Sequence, residues 1–93
     1  MQMVNESASF INITASTLVR GNPANLLGIF VSSASSTPTI KVWDSTAASG
    51  TVCVDTFTPI AGSFYAMPAS CASGIFVSLG GTVSATVFYF PVQ

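Results

Sequence analysis

Apolar and polar positions alternate along most of this chain. Val52, Val54 and Thr56 alternate with Cys53, Asp55 and Phe57, and Ile75, Val77 and Leu79 with Phe76, Ser78 and Gly80. Val83, Ala85, Val87 and Tyr89 alternate with Ser84, Thr86, Phe88 and Phe90. A period of two sends successive side chains to opposite faces of a pleated strand, and the wealth of Val, Ile, Thr and Phe strengthens that reading. No stretch carries apolar residues at helical spacing, so no helix longer than about two turns is expected.

Turn-forming residues divide the pattern into about eight short strands, expected at Ser9–Ile13, Thr17–Arg20, Leu26–Ser33, Thr39–Asp44, Thr51–Thr58, Ser63–Met67, Gly74–Leu79 and Thr82–Phe90. Breaks are expected at Gly21-Asn22-Pro23, Ser35 to Pro38, Ala47 to Gly50, Ala61-Gly62 and Pro68 to Ser73. Gly80-Gly81, between two strong strands, predicts a tight two-residue hairpin. Many short strands at this spacing imply an all-β fold, a small antiparallel β-sandwich for which jelly-roll-like connections are one route. Residues 1–93 make one such domain, with 1–8 as a flexible or subunit-contacting arm. The expected core is Leu27, Ile29, Val31, Ile40, Val42, Val52, Val54, Ile75, Val77, Leu79, Val83 and Val87.

Three of the five charged residues, Lys41, Asp44 and Asp55, flank the small-residue loop that follows Trp43. This predicts a solvated hairpin: Ile40 and Val42 face inward, Lys41 and Trp43 outward. Asp44 shapes the turn through nearby backbone amides, and Lys41 and Asp55 pair across the strands. A metal site built on Asp44 and Asp55 would need further oxygen ligands, which the neighbouring sequence does not supply.

Composition narrows the function. Charged residues are 5% of the chain, against roughly 25% in typical soluble domains. The polar share is filled by 14 Ser and 10 Thr, and the net charge is −1. Such a surface does little to hold copies apart, so it is expected to be covered by neighbouring subunits. Two cations cannot supply the phosphate contacts on which nucleic-acid binding rests. The apolar run Leu26 to Val31 falls far short of the roughly 18 residues of a spanning helix, so no membrane partner is expected. The opening residues Met1 to Glu6 have neither the basic start nor the apolar core of an export signal. Cys53 and Cys71 are therefore expected as free interior thiols. With no histidine, three scattered carboxylates and no phosphate-binding or nucleophile-elbow spacing, the chain is expected to have no catalytic site, cofactor or resident metal.

Aromatic residues carry the remaining signal. With the β-branched residues inside, Phe30, Trp43, Phe57, Tyr65, Phe76, Phe88 and Phe90 fall on the opposite face, more than a small monomer should expose. Phe30, Trp43, Tyr65, Phe76 and Phe88 are the candidate interface residues. Further signals are Gly28 to Ser32, Ile40 to Asp44, Ser49-Gly50-Thr51, Gly74 to Val77 and Thr82 to Tyr89. In this order, across about Leu26 to Phe90, they resemble the small β-sandwich virion proteins of tailed bacteriophages. The resemblance implies a structural role on the particle, as a head decoration or cement protein located in the virion. Its partners would be copies of itself, a trimer among the candidate oligomers, and a major capsid protein. A tail or connector component is the alternative within that class. A carbohydrate- or receptor-binding module, with Trp43 and Tyr65 stacking on sugars, is the alternative outside it. The absence of Gln between Met3 and Val92 and of Asn after Asn25 counts against sugar binding.

Overall fold

The computed structural model describes residues 8–91 as an all-β, antiparallel sheet of six strands, with no helix among them. The strands are β1 (Ser9–Ile13), β2 (Thr17–Arg20), β3 (Ala24–Asp44), β4 (Thr51–Phe57), β5 (Ser63–Cys71) and β6 (Ile75–Pro91). The expected N-terminal arm lies, but for its last residue, outside the described residues.

β3 and β6 form the spine. They pair antiparallel from Ala24↔Pro91 to Trp43↔Phe76, and every other strand docks on one of them. β1 and β2 line up along β6, while β5 and β4 line up along β3. A straight strand of 21 residues would run to roughly 70 Å at about 3.3 Å per residue, yet the longest dimension of the molecule is 49 Å. The ribbon must bend, and the register shows where. Between Ser35↔Thr82 and Thr39↔Gly80, β3 inserts Ser36, Thr37 and Pro38 opposite Gly81 alone. Ser36 and Thr37 adopt positive φ (58° and 55°), and Gly81 does so across from them (φ 69°). Pro38 has no N–H to lose where the ladder is already interrupted.

The expected eight strands are therefore six. Leu26–Ser33 and Thr39–Asp44 are two limbs of β3, and Gly74–Leu79 and Thr82–Phe90 two limbs of β6. Gly80-Gly81 is not a hairpin but the inner side of this bend. Its glycines are needed because a Cβ on Gly81 would collide with the carbonyls of Ser36 and Thr37, and one on Gly80 with the Thr39 hydroxyl. Pro68 does not end β5 either. It sits in a register shift of a strand paired only with β3, where a missing N–H costs no ladder bond.

Both limbs feed one apolar cluster. Leu26, Ile29 and Val31 from one limb of β3 and Ile40 and Val42 from the other are buried with Ile75, Val77, Val83 and Val87 of β6. Full burial of such a side chain contributes about 1.5–3 kcal/mol, so this cluster dominates the stability. Four expected core residues lie elsewhere. Leu27 is only half-buried because the ladder shifts register between Leu26 and Gly28, which gives the core position to Leu26. Val54 and Leu79 are half-buried, and Val52 is 40% exposed beyond a shift between Val42 and Trp43.

Two glycine substitutions separate backbone strain from crowding. Gly62 also has positive φ (83°) but open space around it, so Gly62→Ala should cost about 1 kcal/mol. Gly81→Ala meets two carbonyls as well and should cost about 3 kcal/mol or more in urea unfolding. Equal losses at both sites would show that the bend is not tightly packed.

Candidate interaction surfaces

The Trp43 hairpin is built from the end of β3 and from β4, with Ile40↔Phe57, Val42↔Val54, Trp43↔Val52 and Asp44↔Thr51 as partners. Lys41 and Trp43 point to the same side, opposite buried Ile40 and Val42, as period two requires. The Lys41 Nζ lies 3.9 Å from an Asp55 carboxylate oxygen and 4.4 Å from the centre of the Trp43 ring. Asp55 is 87% exposed, so this ion pair is worth about 0–1 kcal/mol. The Trp43 indole N–H donates to the Ser78 hydroxyl on β6 at 3.1 Å. Cover for the half-buried indole thus comes in part from its own strand and from β6 rather than from a loop.

Asp44 does not shape its own turn. Its carboxylate accepts the backbone N–H groups of Ala72 (3.3 Å) and Ser73 (2.8 Å), in the connection between β5 and β6. The local turn is held instead by Ser45, whose hydroxyl accepts the Ala47 N–H. Beside this latch, Gly74 (φ 143°) lies so close to the Arg20 carbonyl, with the Ser45 carbonyl also near, that a Cβ would collide. Three segments distant in sequence therefore meet at Asp44. Asp55 faces elsewhere, accepting from its neighbour Thr56 N–H at 2.7 Å, so the two aspartates share no site.

The five candidate interface aromatics fall in three places. Trp43 and Phe76 are cross-strand partners on the outer side of the limb that carries β2 and β4. Phe30 and Phe88 lie on the outer side of the other limb, opposite buried Ile29, Val31 and Val87. Tyr65 is on neither outer side. It pairs with buried Ile29, packs 5.0 Å from Phe57, and its hydroxyl accepts the Ile60 N–H at 2.9 Å.

Two residues outside the predicted set are more exposed than any within it: Phe10 at 70% and Phe64 at 54%. Their rings flank Phe88 at 6.5 Å and 6.1 Å. With Phe30 (38% exposed, partnered with Phe64) they make an aromatic row across β1, β6, β3 and β5. Gly28 is part of it, since the Phe64 ring rests where a Cβ would be. Alternation alone could have located Phe10, which precedes inward-facing Ile11 and Ile13 and so falls on the opposite side with Asn12.

An open groove of about 580 Å³ runs between β4 and β5, walled by Cys53, Val54 and Phe57 on one side and Tyr65, Met67 and Ala69 on the other. Cys53 in this wall is half-buried and Cys71 is buried, both as free thiols. Burial, reinforced by Cys53 and by the charge of Asp44, pushes the Cys71 thiol up to about 12. Comparison with protein-family models, with curated proteins and with solved structures finds no match for this chain.

Removing the Asp44 latch strips two amides of their acceptor, so Asp44→Ala should lower the unfolding free energy by about 1–2 kcal/mol at neutral pH. Asp44→Asn, which keeps one acceptor oxygen, should lose less. If urea denaturation shows no loss for either variant, the carboxylate does not tie the segments together. The raised Cys71 pKa carries a sign. The folded state holds a proton that the unfolded chain releases near 9, so this contribution is intact below pH 9 and disappears between about 9 and 12. Under reducing conditions, stability should therefore fall less steeply above pH 9 in Cys71→Val than in the parent chain.

Proposed function

We propose that this chain is a structural virion protein of a tailed bacteriophage, a decoration or cement protein that binds its own copies and the assembled head. The observation that carries the proposal is the aromatic row of Phe10, Phe88, Phe64 and Phe30, which no charged residue interrupts. Arg20, Lys41, Asp44 and Asp55, the charged residues among those described, all belong to the other limb or its strands. Uncharged aromatic surface is what interface centres favour, and a chain with 5% charged residues has little charge to hold its copies apart. A subunit that binds only the assembled lattice stabilises it by mass action, without chemistry of its own.

The proposal includes a two-layer sandwich. One run is β1, β6, β3 and β5, the other β2, β6, β3 and β4; the bend at Ser36 to Pro38 supplies the corner, and the shared apolar cluster supplies the filling. Sugar binding has less support, because Lys41 lies over the Trp43 ring and the Tyr65 hydroxyl is already engaged.

Copy number in purified particles tests the reading. A ratio to the major shell protein near one, or a regular fraction of it, is expected of a head protein. A handful of copies would move the assignment to tail or connector, and absence from particles would overturn it. Phe10→Ala and Phe64→Ala should each weaken particle binding by roughly 30-fold, about 2 kcal/mol, while circular dichroism stays that of a β-protein. Trp43→Ala, already tied to Ser78, should weaken binding less. Unchanged binding in all three variants would remove the aromatic surface from the interface.

A further inference from the structure

The rings of the aromatic row are braced against one another and against the sheet. Phe88, half-buried on β6, has the rings of Phe10 on β1 and Phe64 on β5 to either side, at 6.5 Å and 6.1 Å. Phe64 rests against Gly28, which has no side chain to lift the ring off the sheet. The next outward positions on β1, β6 and β3 are Asn12, Thr86 and Ser32, so carboxamide and hydroxyl groups border the rings. Arg20, Lys41, Asp44 and Asp55 lie on the other limb or its strands.

We propose that this row is a self-association surface: a second copy of the chain packs its own row against it, face to face, about a two-fold axis. The proposal rests on the row serving as an interface, as the functional reading above has it, and assigns its partner. In a two-fold contact each patch meets its own chemistry, so the patch must be complementary to itself. A charge at the centre would face a like charge, and no described residue places one there. Rings pack edge-to-face or offset on other rings. Hydroxyl and carboxamide groups carry both donor and acceptor, so the border can also pair with its own kind. A charged partner, by contrast, would lose water against the rings and find no opposite charge in return. Size sets the strength. Four strands about 4.8 Å apart, each giving about seven residues at about 3.3 Å, make a face of roughly 450 Å². Stable interfaces bury about 800 Å² on each partner, so pairing in free solution should be weak, with a Kd on the order of 10–100 µM.

Sedimentation equilibrium on the purified chain, without particles, from about 1 µM to about 1 mM tests the pairing. The parent should pass from monomer to dimer with no larger species. Phe64→Ala should raise the dissociation constant by roughly 30-fold. Phe88→Asp and Phe88→Lys, with the β-fold checked by circular dichroism, should each stay monomeric alone and form dimers when mixed. The central rings face each other across the axis, and mixing would not rescue variants that had merely lost their fold. Val52→Asp, at an exposed position of β4 on the other limb, should dimerise like the parent. A parent that stays monomeric throughout, trimers or open-ended assemblies, a mixture that does not pair, or equal disruption by Val52→Asp would each overturn the proposal. A monomeric parent whose row still binds particles would give the row to the shell and leave the virion reading standing. A dimer through the row in a protein absent from particles would sustain the pairing and overturn that reading.

Discussion

The antiparallel pairing of β3 with β6 is the constraint from which the rest of the structure follows. Four short strands have no partners except these two, so each exists only because the spine is already in register. Most contacts join residues far apart in sequence, and a spine pairing Ala24 with Pro91 must close a long loop before its ladder begins to repay the entropy. The bend then decides which side chains share a core. Without Ser36 to Pro38 opposite Gly81, Ile29 and Ile40 would lie on one extended ribbon, with no reason to enter a single cluster.

Hydroxyls do the work that charges do in most small domains. Ser16 accepts the Leu79 N–H and returns a bond to the Leu79 carbonyl, pinning the β1–β2 turn onto β6 beside the bend. Ser32 donates to the Ser84 carbonyl, and Asn12 to the Ala85 carbonyl and the Thr86 hydroxyl. A hydroxyl can donate and accept in the same place at little desolvation cost, which a lysine or glutamate cannot. A surface of Ser and Thr therefore stiffens the sheet while leaving it almost uncharged.

The strand content and the inward set Ile29, Val31, Ile40, Val42, Ile75, Val77, Val83 and Val87 were legible because period two is local. What failed depended on partners distant in the chain. Gly80-Gly81 offers the same backbone freedom to a hairpin and to a bend, and only the strand opposite decides between them. Leu27 follows the alternation of Ile29 and Val31 backwards, but a register shift lies between. Asp44 precedes turn-forming residues, yet its acceptors serve Ala72 and Ser73. The Lys41–Asp55 pair was legible because one hairpin brings both together. The aromatic row was legible only in part: Phe30 and Phe88 were found, while Tyr65 went to the inner side and Phe10 and Phe64 were missed.

A sheet with unpaired edges and few charges needs some other protection against indiscriminate pairing. β1 and β2 are too short to template much ladder, at five and four residues. β5 interrupts its free edge with Pro68 and a register shift, and β4 carries Asp55 on its own. With the edges blunted in these ways, the outer aromatic row is the surface where association gains most from burial and loses least to desolvation. Separating the charges onto one limb and the exposed rings onto the other gives the molecule a direction. Contacts through the row bring no charge near its partner, whereas contacts through the Lys41 face must displace water from an ion pair. On the proposed reading, that asymmetry gives a surface that would otherwise adhere everywhere a preferred side.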